Sequence, residues 1–380
     1  MIIFAHHEPI EPTKARWSAI TRTLAAVAAK AKTVWFTPDK RERIAHYFEA
    51  ELGAALPDAL EIRTLPSVHK RLGFTFNGVF FRAFRKALAG RKADVLWLRS
   101  DKLAAYVAEK MPVHPPLVYE AHLVGPLWAQ DRDASEAQVA RLQKLENVIY
   151  AGAVGVAGIT QGVIDEITSR YGFKGPTAVV PSAVDTKLFA PQWHGGGSTV
   201  VYVGTLQFWK GLDTLVHAIA LTRGLHLRIV GHGSGEELAR LQKEITDLRV
   251  GARVNLIGHV PQKELPALIA DAACAVHPLP PDQTIAARFT SPLKLFEYMS
   301  MGLPIVASNL GSVREVLRDG VSARLFEAGS AHSLARALEE VCGNAVFARK
   351  LSQNAQLAAQ QYSYDARADR LLELFDRVTR

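Results

Sequence analysis

Residues 288–309 read RFTSPLKLFEYMSMGLPIVASN: a polar loop, an amphipathic helix, and a buried strand entered through Gly302-Leu303-Pro304. Ser291-Pro292 is a helix-start signal, because a Ser hydroxyl can accept from an orphan amide and Pro lacks the N–H that a first turn leaves unused. Beyond it Leu293, Phe296 and Met299 follow the three-to-four spacing of a packed helix face, while Lys294 and Glu297 are three apart and share another. One cation and one carboxylate therefore project near a helix N-terminus. Free amides and partial positive charge at such an end favour an anionic phosphate group. Taken alone, the stretch is read equally well as a surface Lys-Glu pair on an ordinary packed helix.

The step from helix to apolar strand recurs on both sides of this stretch. Residues 2–6, 33–36, 60–65, 95–99, 117–122, 156–160 and 178–181 read as strands, and 16–31, 40–52, 79–88, 102–110, 135–150 and 162–171 as helices between them. Such alternation means parallel sheets flanked by helices, and near-continuously apolar strands are those covered on both faces. Residues 191–198, PQWHGGGS, break the pattern with a proline and three glycines. The alternation restarts with strands over 200–203, 227–230, 254–257, 275–279 and 305–308, and a last helix covers 366–378. The expected organisation is a first domain over 1–190, a linker over 191–198, a second domain over 199–362, and a tail 363–380 whose helix crosses back to the first domain.

Length agrees with two domains, since 380 residues exceed what one core usually supports. A 48% hydrophobic and 22% charged composition is that of a globular protein. The cysteines are Cys274 and Cys342, too few for a disulfide framework and suited to a reducing compartment. The opening MIIFAH is strand-like and lacks the charged and apolar regions of a secretory signal, so none is expected. No apolar run reaches membrane-spanning length. The net charge of +8 is concentrated in 69–92, HKRLGFTFNGVFFRAFRKALAGRK, which holds seven Lys/Arg, no acid and five Phe. A basic stretch interleaved with aromatics suits nucleic acid or a membrane surface. Because the excess is confined to one short stretch, nucleic acid is not an expected partner.

Open parallel sheets bind ligands beyond the carboxyl ends of their strands. In the second half those ends carry Gly204-Thr205 with Lys210-Gly211 behind them, then Gly231-His232-Gly233, then Gly258-His259-Val260-Pro261, then the loop 278–291. Glycine there lets backbone amides approach a ligand without a Cβ in the way, although tight strand-to-helix turns use it with no ligand at all. In the first half the corresponding ends offer His6, His7, Arg99 and His122.

Several motifs in fixed order now resemble one family. GTLQFWKGLDTLVHAI (204–219), IVGHGSGEE (229–237), VNLIGHVPQKELPALIADA (254–272) and SPLKLFEYMSMGLPIVASN (291–309) resemble the nucleotide-sugar half of a retaining glycosyltransferase of family 4. YEAH (119–122), ITQGVIDEITSRYG (159–172) and VVPSAVDTKLF (179–189) resemble its acceptor half. The resemblance implies an α/β GT-B fold, two doubly wound Rossmann-like domains facing a central cleft. It also implies transfer of a sugar from a nucleotide-sugar donor to an acceptor hydroxyl with retention of configuration, in lipid-linked glycan, polysaccharide or glycolipid biosynthesis.

By the same resemblance Lys210 contacts the donor diphosphate, Glu297 the ribose hydroxyls, and Gly258, His259, Val260 and Pro261 the base. Gly204, Thr205, Gly231, Gly233, Ser291, Pro292 and Leu293 complete the expected donor side. Three departures stand out. Eight positions before Glu297, where the family's first glutamate usually stands, is Phe289, so the loop resembles a variant branch with Ser291-Pro292-x-Lys294-x-x-Glu297. Thr205 occupies the usual arginine position five before Lys210, which makes Lys294 the candidate second cation on the diphosphate. HHEPIEPTKAR replaces a glycine pair after the first strand, with Lys14 and Arg16 as substitutes there.

The chemistry is one of charge: a leaving diphosphate becomes more negative, and fixed cations and helix-end amides that meet it lower the barrier. Lys210, Lys294 and His122 are expected to carry it, with His122 positioning the acceptor or a sugar hydroxyl. No metal and no cofactor beyond the nucleotide-sugar co-substrate is expected. The expected partners are the nucleotide-sugar, a hydrophobic or lipid-linked acceptor, and an anionic membrane surface met through 69–92, with Phe74, Phe76, Phe80, Phe81 and Phe84 inserting shallowly. The expected location is cytoplasmic, peripheral on the inner face of the cell membrane. A nucleotide-sugar epimerase of the same fold and a non-catalytic nucleotide-sugar-binding protein are the alternatives.

Overall fold

The computed structural model describes residues 1–71 and 74–380. The chain forms two compact units, Met1–Pro181 with Tyr364–Arg380, and Ser182–Ser363. In the first, among the described residues, strands β1 (Ile2–Ala5), β2 (Thr33–Thr37), β3 (Leu60–Thr64), β6 (Val95–Leu98), β7 (Leu117–Ala121), β8 (Gly155–Gly158) and β9 (Thr177–Val179) form one parallel sheet in the order β3-β2-β1-β6-β7-β8-β9. A separate antiparallel pair, β4 (Val68–Arg71) and β5 (Phe74–Phe76), lies in the basic stretch, where the sequence pattern does not reveal strands. The second unit carries β10 (Thr199–Val203), β11 (His226–Val230), β12 (Val254–Gly258), β13 (Cys274–His277), β14 (Ile305–Ser308) and β15 (Arg324–Phe326), ordered β12-β11-β10-β13-β14-β15 and all parallel.

Both orders reverse direction beside the first strand of the unit. That reversal is where a doubly wound sheet leaves a crevice at its carboxyl edge. Burial explains the strand composition: β1, β2, β6, β7 and β14 are buried along their whole length. The second unit's core has two sides. Ala275, Leu295, Phe296 and Tyr298 belong to one, and Cys274, Val276, Leu212 and Leu338 to the other, as alternate residues of a strand must.

Residues 182–190, expected in the first domain, pack in the second unit, and the division falls after Pro181 rather than at 191–198. Val184 and Phe189 enter that unit's core, and the Gln192 and Trp193 amides donate to the Met301 carbonyl at 3.3 Å. The three glycines at 195–197 all have positive φ and turn the chain inside the unit. The tail helix, Tyr364–Thr379, packs in the first unit, with Ala368, Leu371, Leu374 and Phe375 beside Trp17, Leu24 and Trp97.

Three of the phenylalanines expected at a membrane are core residues. On the helix Asn77–Leu88, Phe80, Phe81 and Phe84 are buried; Phe84 meets Phe36 edge-on at 5.4 Å and Phe81 meets His7 at 5.4 Å. A helix over a sheet must bury one face, and these side chains are that face. Leu72 and Gly73 lie outside the described residues, as do the side chains of Phe74 and Phe76. Arg82, Arg85 and Lys86 are exposed. Among the described residues no helix is long and apolar enough to cross a membrane.

Candidate functional site

In the second unit β10 and β13 lie side by side; Gly204 follows the end of β10, and β13 ends at His277. Gly204 adopts φ +146°, and a Cβ there would lie 2.7 Å from the Lys294 ammonium. Only a glycine lets that side chain reach the end of β10. Lys294 comes from the first turn of the helix Leu293–Met301, and its Nζ sits 3.8 Å from the Tyr202 ring centroid. This nitrogen is buried and has no hydrogen-bond partner among the described residues. Burial, and then Lys210, push its pKa well below the ordinary lysine value, with Glu297 opposing. The ring of Tyr202 offers attraction to a cation, but no negative charge.

Lys210 stands over the Trp209 ring at 3.5 Å, in the short turn Phe208–Lys210 that follows β10. Gly211, the next residue, has φ +71°, and a Cβ on it would come within 1.7 Å of the Pro278 carbonyl. The Lys210 turn is thus packed directly on the exit of β13. His277, at that exit, is buried with both ring nitrogens unpartnered among the described residues. Burial, then Lys294 and Lys210, depress its pKa, so it is neutral near neutral pH. Glu297, one turn beyond Lys294, is buried and accepts from Gln262 Nε2 at 2.7 Å. The carboxyl edge of β10 and β13 therefore gathers two lysines and a histidine against one carboxylate that Gln262 already engages.

Ser291 does not cap the helix as its position suggests. The cap position is Pro292, with no side-chain hydrogen bond. Ser291 Oγ accepts from the Ser182 amide at 2.9 Å, and the Ser182 hydroxyl donates to the Ser291 carbonyl at 2.6 Å. A hydroxyl spent on the neighbouring loop leaves the first turn of the helix without a side-chain acceptor. Phe289, eight positions before Glu297, is fully buried beneath the Arg288 guanidinium, 4.9 Å from its ring.

The remaining residues expected on the donor side sit at the ends of β10, β11 and β12. The Thr205 carbonyl accepts from the Tyr202 hydroxyl at 2.9 Å, and its Oγ1 lies 3.2 Å from Gln207 Oε1. The Leu206 amide donates to the His232 carbonyl at 3.0 Å, between Gly231 and Gly233. His259 is exposed and meets the His232 ring edge-on at 5.3 Å, with Val260 next to it.

In the first unit β1 and β6 are neighbours, and their ends bring His6, His7, Arg99 and Ser100 together. His6 and His7 stack at 5.7 Å, and His7 Nδ1 is 2.9 Å from the Ser100 hydroxyl. Arg16 pairs with Glu8, while Lys14 pairs with Glu11 at 2.8 Å in a solvent-exposed loop and does not join the histidines. His122 follows β7: its Nε2 is 2.5 Å from Glu120 Oε1 and its Nδ1 is 3.2 Å from Arg99 Nη2. Burial and Arg99 bring the His122 pKa down to about 4, against the pull of Glu120. Sequence reading singled out neither Tyr202, Gln262 and His277 nor Glu120. His277 and Glu120 both fall on or at the end of a recognisable strand, which was the available signal.

Residues 184–358 match the family model of the group 1 glycosyl transferases. The lipopolysaccharide core biosynthesis glycosyltransferase LpsE of Rhizobium meliloti is 29% identical over 226 residues, 57% of this chain and 61% of that protein. The chain spans about half to two thirds of the length of the curated relatives it matches. Among solved structures, sucrose-phosphate synthase from Thermosynechococcus elongatus superposes with a TM-score of 0.80 at 18% identity, covering 99% of this chain and 98% of that one. Anabaena HepE in complex with UDP-glucose gives 0.73 at 18% identity over 99% of both. These likenesses, with the two parallel sheets, establish the GT-B fold.

Proposed function

We propose that this protein is a glycosyltransferase that moves a sugar from a nucleotide-sugar to an acceptor hydroxyl, with retention of configuration and without a metal. The observation that carries the reading is the Lys294 Nζ, buried and unpartnered among the described residues at the end of β10 in the segment that matches group 1 glycosyl transferases. A buried amine with no partner holds its charge only at a cost, and an incoming diphosphate would stabilise the charged form. HepE, of like fold, is known in complex with UDP-glucose, which supports a nucleotide-sugar as the ligand.

In this reading Lys210 and Lys294 meet the diphosphate as its charge grows on leaving, and Glu297 binds the ribose. Lys210 acts on the rate, whereas Glu297 acts on donor affinity through bonds to a neutral group. Lys210→Ala is expected to lower kcat about a hundred- to a thousandfold, and Glu297→Ala to raise the donor KM with a smaller change in kcat. Steady-state kinetics on nucleoside diphosphate release, with and without acceptor, make the test; full turnover of Lys210→Ala at saturating donor rejects the site.

The acceptor is proposed to be lipid-linked, with the protein held cytoplasmically at an anionic membrane surface by Arg82, Arg85 and Lys86. Their exposure supports this, and charge rather than Phe insertion is the attraction. A second reading, a non-catalytic nucleotide-sugar binder, is favoured by Phe289, which puts a buried ring where a carboxylate usually reads the sugar. Donor binding with no acceptor-dependent release across a panel of UDP-, GDP- and ADP-sugars would select it.

A further inference from the structure

Arg367, on the tail helix, is buried and reaches in three directions. Its Nε donates to Thr23 Oγ1 at 3.1 Å, its Nη1 to the Val180 carbonyl at 2.6 Å and to that of Pro181, and its Nη2 to Glu120 Oε1. Glu120 is buried too, and its Oε2 accepts from Trp97 Nε1 at 2.9 Å. The oxygen held by Arg367 is the one that meets His122 Nε2. On the far side of the ring stands Arg99, and a guanidinium has only donors. His122 Nδ1 must therefore accept, and the ring proton sits on Nε2, donated to Glu120.

We propose that Arg367 is a positioning residue for His122: by clamping Glu120 it holds the imidazole as the neutral Nε2–H tautomer with Nδ1 turned to Arg99. The charged groups around the ring are Glu120 from β7, Arg99 from the end of β6, and Arg367 from the tail helix. Two cations against one carboxylate leave no charge for an imidazolium to pair with. Take Arg367 away and Glu120 keeps hydrogen bonds only from Trp97 and His122, with one cation, Arg99, left nearby, so the ring gains a proton more easily and an ion pair forms. Any effect on sugar transfer rests on the acceptor-side role proposed for His122; the tautomer and the titration do not.

The test is nitrogen-detected NMR of the full-length protein together with donor and acceptor kinetics. Wild type shows His122 as the Nε2–H tautomer, neutral at neutral pH. Arg367→Gln, which keeps a donor for the Val180 carbonyl but drops the charge, raises the His122 pKa by about 1–3 pH units. Arg367→Lys, which keeps the charge, leaves it within about half a unit. In transfer assays kcat falls in the Gln variant and recovers in the Lys variant, with donor KM unchanged. A role confined to packing would lower the melting temperature of both variants and leave tautomer and titration unmoved, and that result overturns the proposal. So does a wild-type Nδ1–H tautomer, which needs no variant to fold. Should Arg367→Gln fail to fold, Glu120→Gln decides: it removes the acid and is expected to lower the His122 pKa further, and a rise would reject the clamp. Wild type with the expected tautomer but no transfer from any nucleotide-sugar would instead remove the functional reading and leave the clamp standing.

Discussion

Lys294 stands out through what it lacks, a hydrogen-bond partner among the described residues. Its amine is buried against Tyr202 and near Lys210, with a pKa below its ordinary 10.5. The unfolded chain therefore holds more protons than the folded one between that depressed value and 10.5, and stability without ligand rises with pH across that window. A bound diphosphate reverses the sign, because the anion draws a proton onto the amine. Nucleoside diphosphate binding is expected to take up protons and to weaken as pH rises through the depressed value. Titration calorimetry in two buffers of different ionisation enthalpy reads this directly: the apparent heats should differ for wild type and agree for Lys294→Met. Equal heats for wild type would mean that the amine is already charged or is not at the diphosphate.

At the scale of one element, the helix Asn77–Leu88 separates two roles that its sequence interleaves. Phe80, Phe81 and Phe84 face the sheet, while Arg82, Arg85 and Lys86 face solvent. Phe84→Ala is expected to cost about 3–5 kcal/mol in denaturant unfolding, as large core truncations do, and to leave vesicle binding of the folded protein intact. Changing Arg82, Arg85 and Lys86 to Glu is expected to leave the melting temperature within a few degrees and to abolish flotation with anionic vesicles at low salt. Equal flotation of wild type and the triple variant rejects the membrane reading. The two faces respond to different tests because one is held by burial and the other only by screened charge.

For the whole molecule, the first unit is discontinuous, closed by a helix that arrives after the second unit is complete. Removing 364–380 uncovers Trp17, Leu24 and Trp97 and takes away the Arg367 ties to Thr23 and Glu120. Calorimetry should then show one unit destabilised or unfolded and the other unchanged, with nucleoside diphosphate affinity retained, since the Lys294 site lies wholly within Ser182–Ser363. Loss of that affinity on truncation would place part of the donor site in the first unit. The alternation of apolar strands and amphipathic helices, the glycines at strand ends, and the Lys294–Glu297 spacing were legible in the sequence because each is a local pattern read over a few residues. Other features were not. Glu120 finds Arg367 across 247 residues, Ser291 answers Ser182 rather than its own helix, and Val184 and Phe189 join the second core. Which of five phenylalanines face a sheet, and whether a lysine ends beside a carboxylate or an aromatic ring, depend on contacts that only the folded chain brings together. Periodicity states that a residue will be buried; long-range packing chooses its partner.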